Sequence, residues 1–578
     1  MSEPVSTDAA LRADHLAGAP NRAARLARWM GRGHRYSPLL RLIIICGIVI
    51  AWLAFSVWGE ASRGGSRSIA MLVADATYRP FTFLSPDGDY GEGSAIPLQW
   101  VAARFLGALL PVIGLFWVIR RWLMLSLARG LVQYAASGHV TIVSDEGAAN
   151  ALAAASSRAG DCVVLIDPSL EDDSSDRDRL AEEGVVILSS QPLLRMLRRA
   201  RVTSAHQTAC WSRCDSQNLE HALLLHSLPL HNDIEIALKV NSRDAQPMLH
   251  SMSDLVQANN RRFRPIAPEV AALRAALDDQ GLVADAVAAR QAQVCVALHG
   301  CGPKLLGIGE LVLQHNWSIH LGPPQLLVIA PLDRDTSGCK EVAALLARQA
   351  RVFEPGMAPS VRHLSVGDLA HVAVTRHLVE CDSDETTLAH AFALAAALRQ
   401  QSQRDFTLQP ILRENERLGG YLSKHAREFA SPVYLGQHQP LGKLLERSED
   451  EAAARLHIAY QAANGEEPIA QADWRTLPET FIHANRAAAD HAAIKQWDVA
   501  QAATSGADGD TVLQSLAAVE HRRWCTERLL EGWLPGPRDN RRRLHDKLIP
   551  WGELSADDQK KDVDQVLLAL ALGPLENR

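Results

Sequence analysis

The residues best suited to chemistry crowd the C-terminal end of the chain, as Glu520-His521-Arg522-Arg523-Trp524, Glu527, Gly532-Trp533, Gly536-Pro537-Arg538, Arg541, His545 and Pro550-Trp551. Arginine presents a rigid fork of donors that matches phosphate, and an indole offers a flat face on which a heterocycle can stack. Glu520, His521, Arg523, Trp524, Glu527, Trp533, Arg538, Arg541, His545 and Trp551 are therefore candidate ligand-binding residues, and a phosphorylated, nucleotide-like ligand fits them. An alternative stands beside this reading: the indoles are core and the charges are internal salt bridges that hold a small domain together.

These side chains need elements to place them. Leu513, Leu516, Ala517, Glu520, Trp524 and Glu527 recur at three and four spacing, which predicts a helix from Leu513 to Leu530. Gly532 suits a left-handed C-cap, and Pro535 and Pro537 keep the helix from resuming. Ser555 is placed to cap a last helix that starts near Ala556. From about Val512 to Leu568 the order E-H-x-R-W, G-W-x-x-G-P, H-x-x-L-x-P-W and Lys560-Lys561-Asp562 resembles the ryanodine-receptor repeat domain. The resemblance implies a small all-α domain over 511–572. Pro535, Asp546 and Val563 depart from that pattern, standing where an aromatic, a proline and an arginine are common.

The chain has 578 residues, enough for several domains, and a formal charge of −7. That balance excludes nucleic-acid binding through a bulk basic field. Nine cysteines, with no C-x-x-C pair, read as reduced thiols, and no metal site is expected.

Residues 1–38 are rich in Ala and Arg and are expected to be mostly disordered, apart from an amphipathic helix around Asn21 to Met30. Residues 39–58 are almost continuously apolar and long enough to span a bilayer, and a second span is placed at 98–119. Arginines before the first and after the second put both flanks, and everything beyond Arg120, on the cytoplasmic side of an inner membrane, with 59–97 outside. The nearest approach to a potassium filter in that loop, Asp87-Gly88-Asp89-Tyr90-Gly91, lacks the preceding Thr and Val.

A strand–helix–strand pattern opens a first unit over 137–265: His139 to Val143, a helix to Ser157, then Cys162 to Ile166 and Asp167, where a dinucleotide fold holds a ribose. With the strand-like Gly184 to Leu188, the helix Leu194 to Ala205 and Thr208 to Trp211, the stretch resembles the TrkA-N or RCK regulatory domains of potassium channels and transporters. Ser144, Glu146 and Ala149 replace the fingerprint glycines, so this unit is not expected to bind NAD. A second unit over 290–408 starts at Val294, keeps Gly300 and Gly302, and has Lys304 where a helix begins; these three are weak cofactor-binding candidates. Its later strands are read as Gln325 to Ala330, ending near Asp333, then as His363, Leu364 and Val366 and the run Val372 to Thr375, with a helix from Leu388 to Gln400.

Residues 409–500 read as a helical connector, clearest at Leu441 to Gln461 and Thr480 to Trp497, and Ser505 to Asp510 as a linker that frees the last domain. No hydrolase, kinase or metalloprotease signature is present. The fold class expected is two N-terminal transmembrane helices, cytosolic tandem Rossmann-like α/β units and a C-terminal all-α domain. The function expected is a non-enzymatic membrane sensor or effector that binds a nucleotide or nucleotide-derived second messenger. Its partners are the lipid bilayer and further copies of the chain as a dimer or tetramer, and no nucleic acid. A potassium channel or transport subunit and a protein-binding membrane scaffold are the alternatives.

Overall fold

The computed structural model describes residues 20–32, 38–61, 123–170, 174–189, 191–228, 235–240, 262–268, 281–300, 305–329, 337–400, 406–412, 451–463 and 479–571, with isolated residues between them. It divides into a smaller unit, Arg12–Trp211 with Pro229–Ile234, and a larger one formed chiefly by Ser212–Leu228 and Glu235–Arg578.

In the smaller unit the helices are α1 (Arg22–Arg32), α2 (Pro38–Ala61), α3 (Asn150–Ala159), α4 (Ser175–Glu182) and α5 (Leu193–Arg199). The strands are β1 (Val140–Val143), β2 (Val163–Ile166), β3 (Val186–Leu188) and β4 (Gln207–Cys210). They lie parallel in the order β3-β2-β1-β4. Every residue of these strands is buried, and β1 to β3 are the Val/Ile/Leu-rich runs expected when helices cover a sheet. The expected helix from Leu194 to Ala205 stops at Arg199, because Arg201 takes a left-handed conformation (φ 48°) before a short 3-10 turn, Val202–Ser204.

The first expected span coincides with α2, 24 residues long, on which Ile50 is 66 % and Trp58 58 % exposed. Two transmembrane helices are nonetheless not supported: among the described residues no helix is long and apolar enough to cross a membrane. The loop 59–97 and nearly all of the second span, 98–119, lie outside the described residues.

The larger unit carries α6 (Asp215–Ser227), the parallel pair β5 (Glu235–Lys239) and β6 (Arg262–Ile266), and α7 (Gly281–Ala288). A second parallel sheet follows, in the order β12-β11-β10-β7-β8-β9. Its strands are β7 (Gln293–Gly300), β8 (Gly322–Ile329), β9 (Ser360–His363), β10 (Arg376–Glu380), β11 (Leu408–Leu412) and β12 (Val433–Tyr434). Between them run α8 (Leu305–His315), α9 (Ser337–Arg348) and α10 (Asp384–Gln400). Two expectations shift here. Thr375 is used as a staple, its N–H donating to the Cys295 carbonyl (2.7 Å) and its Oγ1 accepting from the Cys295 N–H (3.0 Å), so the strand begins one residue later than the end of Val372–Thr375. Leu408–Leu412, largely assigned to a helical connector, is a fully buried strand in register with β10.

The helical remainder comprises α11 (Glu451–Ala463), α12 (Glu479–Asp490), α13 (Ala492–Thr504), α14 (Gly509–Leu530) and α15 (Ala556–Ala571). The helix expected from Thr480 to Trp497 breaks at His491. Val519, Cys525, Leu529 and Trp533 pack into the same core as Ile308, Val312 and Trp317 of the second sheet unit. Burial of large apolar side chains of this kind stabilises by about 1.5–3 kcal/mol each. Polar contacts reinforce the joint: Asp498 accepts from Ser318 Oγ (2.6 Å) and the Ile319 N–H (3.1 Å), and Arg522 pairs with Glu354 (2.9 Å). The expected linker Ser505–Asp510 is thus a short turn between two docked helices, with Gly506 at φ 70° and the Asp508 carboxylate capping α14 through the Thr511 N–H (3.0 Å).

Candidate functional site

Helix α14 sets the site. Its start precedes the expected Leu513, because Asp508 supplies the cap for a first turn that is polar. It ends as expected: the Gly532 N–H donates to the Leu529 carbonyl and the Trp533 N–H to the Arg528 carbonyl (2.9 Å), with Gly532 left-handed at φ 86°. This turn throws Trp533 back under the helix and starts the loop to Trp551, which is tied by Leu534–Pro535 pairing with Leu544–His545. Ser555 caps α15 through the Asp558 N–H.

Between α11, α12, α14, α15 and that loop lies a cleft of about 260 Å³. Glu520, His521, Arg523, Trp524, Trp533, Arg538 and His545 all line it, so seven of the ten ligand-binding candidates converge on one space. Glu527 lies beneath it, fully buried. Trp551 stands behind His521, with ring centroids 5.9 Å apart, and Arg541 is exposed outside the lining.

The floor is a chain of buried ion pairs. Arg523 holds Glu520 (3.0 Å) and Glu527 (2.8 Å), while Lys495 of α13 reaches Glu520 at 2.7 Å. Burial alone raises the Glu520 carboxyl pKa, but Arg523 and Lys495 override it and hold the group well below the carboxylate range. Burial lowers the pKa of Lys495 and outweighs the attraction of Glu520. His491 shares this carboxylate, at 3.5 Å, and burial, then Lys495, lower its pKa. These residues match the structural alternative for Glu520, Arg523 and Glu527, since each is ion-paired to its neighbours.

The walls differ. His521 sits between the Asp562 carboxylate (3.2 Å from Nδ1) and the Ile549 carbonyl (2.9 Å from Nε2), two acceptors that call for protons on both nitrogens. Burial works against the charge, yet Cys525 and Asp562 raise the pKa to about 11. Its ring stacks on Trp524 (centroids 5.7 Å, 30°). His545 meets the other side of Trp524 edge-on at 4.9 Å, and burial, then Arg538 and Arg528, push its pKa down to about 4. Its Nδ1 accepts from the Lys547 N–H (3.1 Å), which leaves the Nε2–H tautomer. Arg528 lies 5.2 Å from the Trp533 ring, 5.6 Å from Phe481 and 5.9 Å from Trp524, a desolvated cation held by aromatic faces.

Six cations line the cleft, Arg523, Arg528, Arg538, Lys547, Lys561 and protonated His521, against three carboxylates, Glu520, Asp558 and Asp562. With Lys495, Glu527 and Glu531, which pair with this lining from behind it, the balance is seven to five, and the excess of two rests on Arg538, Lys547, Lys561 and His521 against Asp558 and Asp562. Lys547 is engaged by Asp558 (2.8 Å). Among the described residues Arg538 forms no ion pair, although it lines the cleft. The sequence reading missed Lys495, Arg528, Lys547, Asp558 and Asp562. Two of these had a signal: Arg528 in its spacing of four from Trp524, and Asp562 in the Lys560-Lys561-Asp562 motif.

The two α/β units offer less. In the first, the loop after β1 is filled by its own side chains. Asp167 accepts from the Gly147 N–H (3.0 Å) and from Ser169, and Ser144 Oγ accepts from the Ala149 N–H (3.0 Å). The acid at the ribose position and the amides that a pyrophosphate would use are bound to each other. In the second, Gly300 is required by packing: at φ 131° a Cβ there would collide with the Glu380 carbonyl. Gly302, Lys304 and Asp333 lie outside the described residues. The unit's buried histidines, His299 and His377, bond to each other at 2.9 Å.

No family model and no curated protein sequence matches the chain. Among solved structures, the GsuK channel is 16 % identical, with a TM-score of 0.33, over 71 % of this chain and 100 % of that one. GsuK bound to ADP gives 16 %, 0.32, 71 % and 100 %, and the GsuK channel bound to NAD gives 14 %, 0.32, 71 % and 84 %. Likenesses of that order leave the function to be argued from the residues.

Proposed function

We propose that the C-terminal cleft binds a phosphorylated, ring-bearing small molecule of the nucleotide class, and that the chain is a ligand sensor or effector. The carrying observation is the excess of cations along a cleft that also presents the edges and faces of Trp524, His521 and His545. A low-dielectric recess with such a balance favours an anion, and the adjacent rings favour a planar group on it. Arg538 supplies the guanidinium free to fork onto phosphate, since Arg523 and Arg528 are committed to Glu527 and Glu531. Isothermal titration of the full chain with a panel of nucleoside mono- and diphosphates and cyclic dinucleotides tests this. Binding of one ligand per chain, weakened by Arg538→Ala and absent for the unphosphorylated nucleoside, is the expected result.

Attachment to a membrane through residues 39–58 belongs to the same proposal. The support is α2, whose Ile45, Ile50, Leu53, Val57 and Trp58 face outward. Retention in the membrane pellet after alkaline carbonate washing checks it, and release into the supernatant refutes it. A ligand transmits a signal only by preferring one arrangement of the chain over another. The route from the cleft is given by the contacts of α13 and α14 with Ser318, Ile319 and Glu354 of the second sheet unit.

A further inference from the structure

Beside the cleft, α12 and α14 meet through three side chains that the ligand reading does not use. Glu527 and Glu531 stand one turn apart on α14, and His483 opposes them from α12. One oxygen of each carboxylate is anchored by an arginine: Arg523 Nη1 donates to Glu527 Oε2 at 2.8 Å, and Arg528 Nη1 donates to Glu531 Oε2 at 3.1 Å. The other oxygen of Glu531 faces His483. Glu531 Oε1 is 2.9 Å from His483 Nδ1, and among the described residues Glu527 Oε1 accepts no hydrogen bond although its residue is fully buried. Arg528 Nε stands 4.0 Å from that oxygen, beyond hydrogen-bond reach. One donor atom from each of the three residues lies within 4.8 Å of the other two.

We propose that His483, Glu527 and Glu531 form a binding site for one divalent transition metal of the zinc class. One imidazole nitrogen and two carboxylate oxygens make a three-residue set with a fourth position open, and this mixed donor set suits zinc and its borderline neighbours better than magnesium or copper(I). At metal–ligand bonds of about 2.1 Å, tetrahedral donors sit about 3.4 Å apart, so the present spacing closes on an ion with sub-ångström side-chain movement. Arg523 and Arg528 act as the outer shell that orients the carboxylates. The competing account is a purely ionic network. It satisfies Arg523 and Arg528 but leaves Glu527 Oε1 desolvated without a partner, and the ion supplies that partner.

The charges permit it. Lys495, Arg523 and Arg528 balance Glu520, Glu527 and Glu531, three against three, so the cluster is neutral before His483 is counted.

Cobalt(II) titration of the metal-stripped full chain is the test. The expected result is a visible d–d band that saturates at one ion per chain, is displaced by zinc, and weakens by at least the 10–100-fold typical of outer-shell changes in each of His483→Gln and Glu531→Gln. Both side chains are partly exposed, so the two variants are independent routes to a folded protein. Absence of the band, or the same band and affinity in either folded variant, overturns the site, since binding by histidines elsewhere would survive both changes.

Discussion

Replacing Arg523 with alanine probes the floor of the cleft. The guanidinium is 1 % exposed and bridges Glu520 and Glu527 at 3.0 and 2.8 Å. Its removal leaves two buried carboxylates with Lys495 at 2.7 Å from one and Arg528 at 4.0 Å from the other. Breaking a buried pair from one side costs about 3–5 kcal/mol, because the desolvation of the stranded charge is no longer offset. At about 2–4 °C per kcal/mol for a large cooperative unit, this corresponds to a fall in Tm of roughly 6–20 °C. Arg523→Lys keeps the charge but not the fork, so it should recover only part of the loss. The assay is thermal unfolding followed by tryptophan fluorescence, with a double-mutant cycle against Glu527→Gln to isolate the pair; a coupling of about 1–3 kcal/mol is expected. A change of less than about 1 kcal/mol for Arg523→Ala, or additive behaviour in the cycle, would show that these charges are solvated and that the floor is not a structural network.

Two further outcomes follow from the same geometry. His521 has its pKa raised from 6.5 to about 11, so its stabilising contribution is complete below pH 6.5 and is lost as pH rises toward 11. The difference in Tm between the parent and His521→Gln should therefore shrink steadily from pH 7 to pH 11, and a constant difference would contradict the paired imidazolium. Gly300→Ala forces a Cβ into the Glu380 carbonyl at φ 131°, which predicts a loss of about 2 kcal/mol or more in denaturant unfolding, whereas Gly356→Ala, left-handed but open, should cost less.

Much of this was legible in the residues, and the exceptions have physical reasons. The caps of the last two helices could be read from Gly532 and Ser555, because a left-handed turn and a side-chain acceptor are local requirements. The Glu520–Arg523–Glu527 ladder follows from three and four spacing along α14. Strands β1 and β2 stood out as apolar runs bounded by polar residues. Strand β10 was displaced in the reading because His371 to Glu380 is β-branched and apolar in both halves, and only pairing with β7 selects Arg376–Glu380. Leu408–Leu412 is too short to separate strand from helix by periodicity. Lys495 was invisible for another reason: a lysine is buried only where another helix brings it a carboxylate, and that encounter with Glu520 is tertiary. The tight Ser505–Asp508 turn looked like a linker because glycine and aspartate serve both purposes.

The central claim is that the cleft selects a phosphorylated ring through Arg538 while the buried network only supports it. Native mass spectrometry of the full chain purified from its own host, beside Arg538→Ala, measures this most directly. The account predicts one adduct per chain with the mass of a phosphorylated heterocycle, lost in Arg538→Ala while the variant's Tm stays within about 2 °C of the parent, as an exposed residue without an ion pair should allow. A parent without an adduct, or an adduct retained in full by Arg538→Ala, would contradict it.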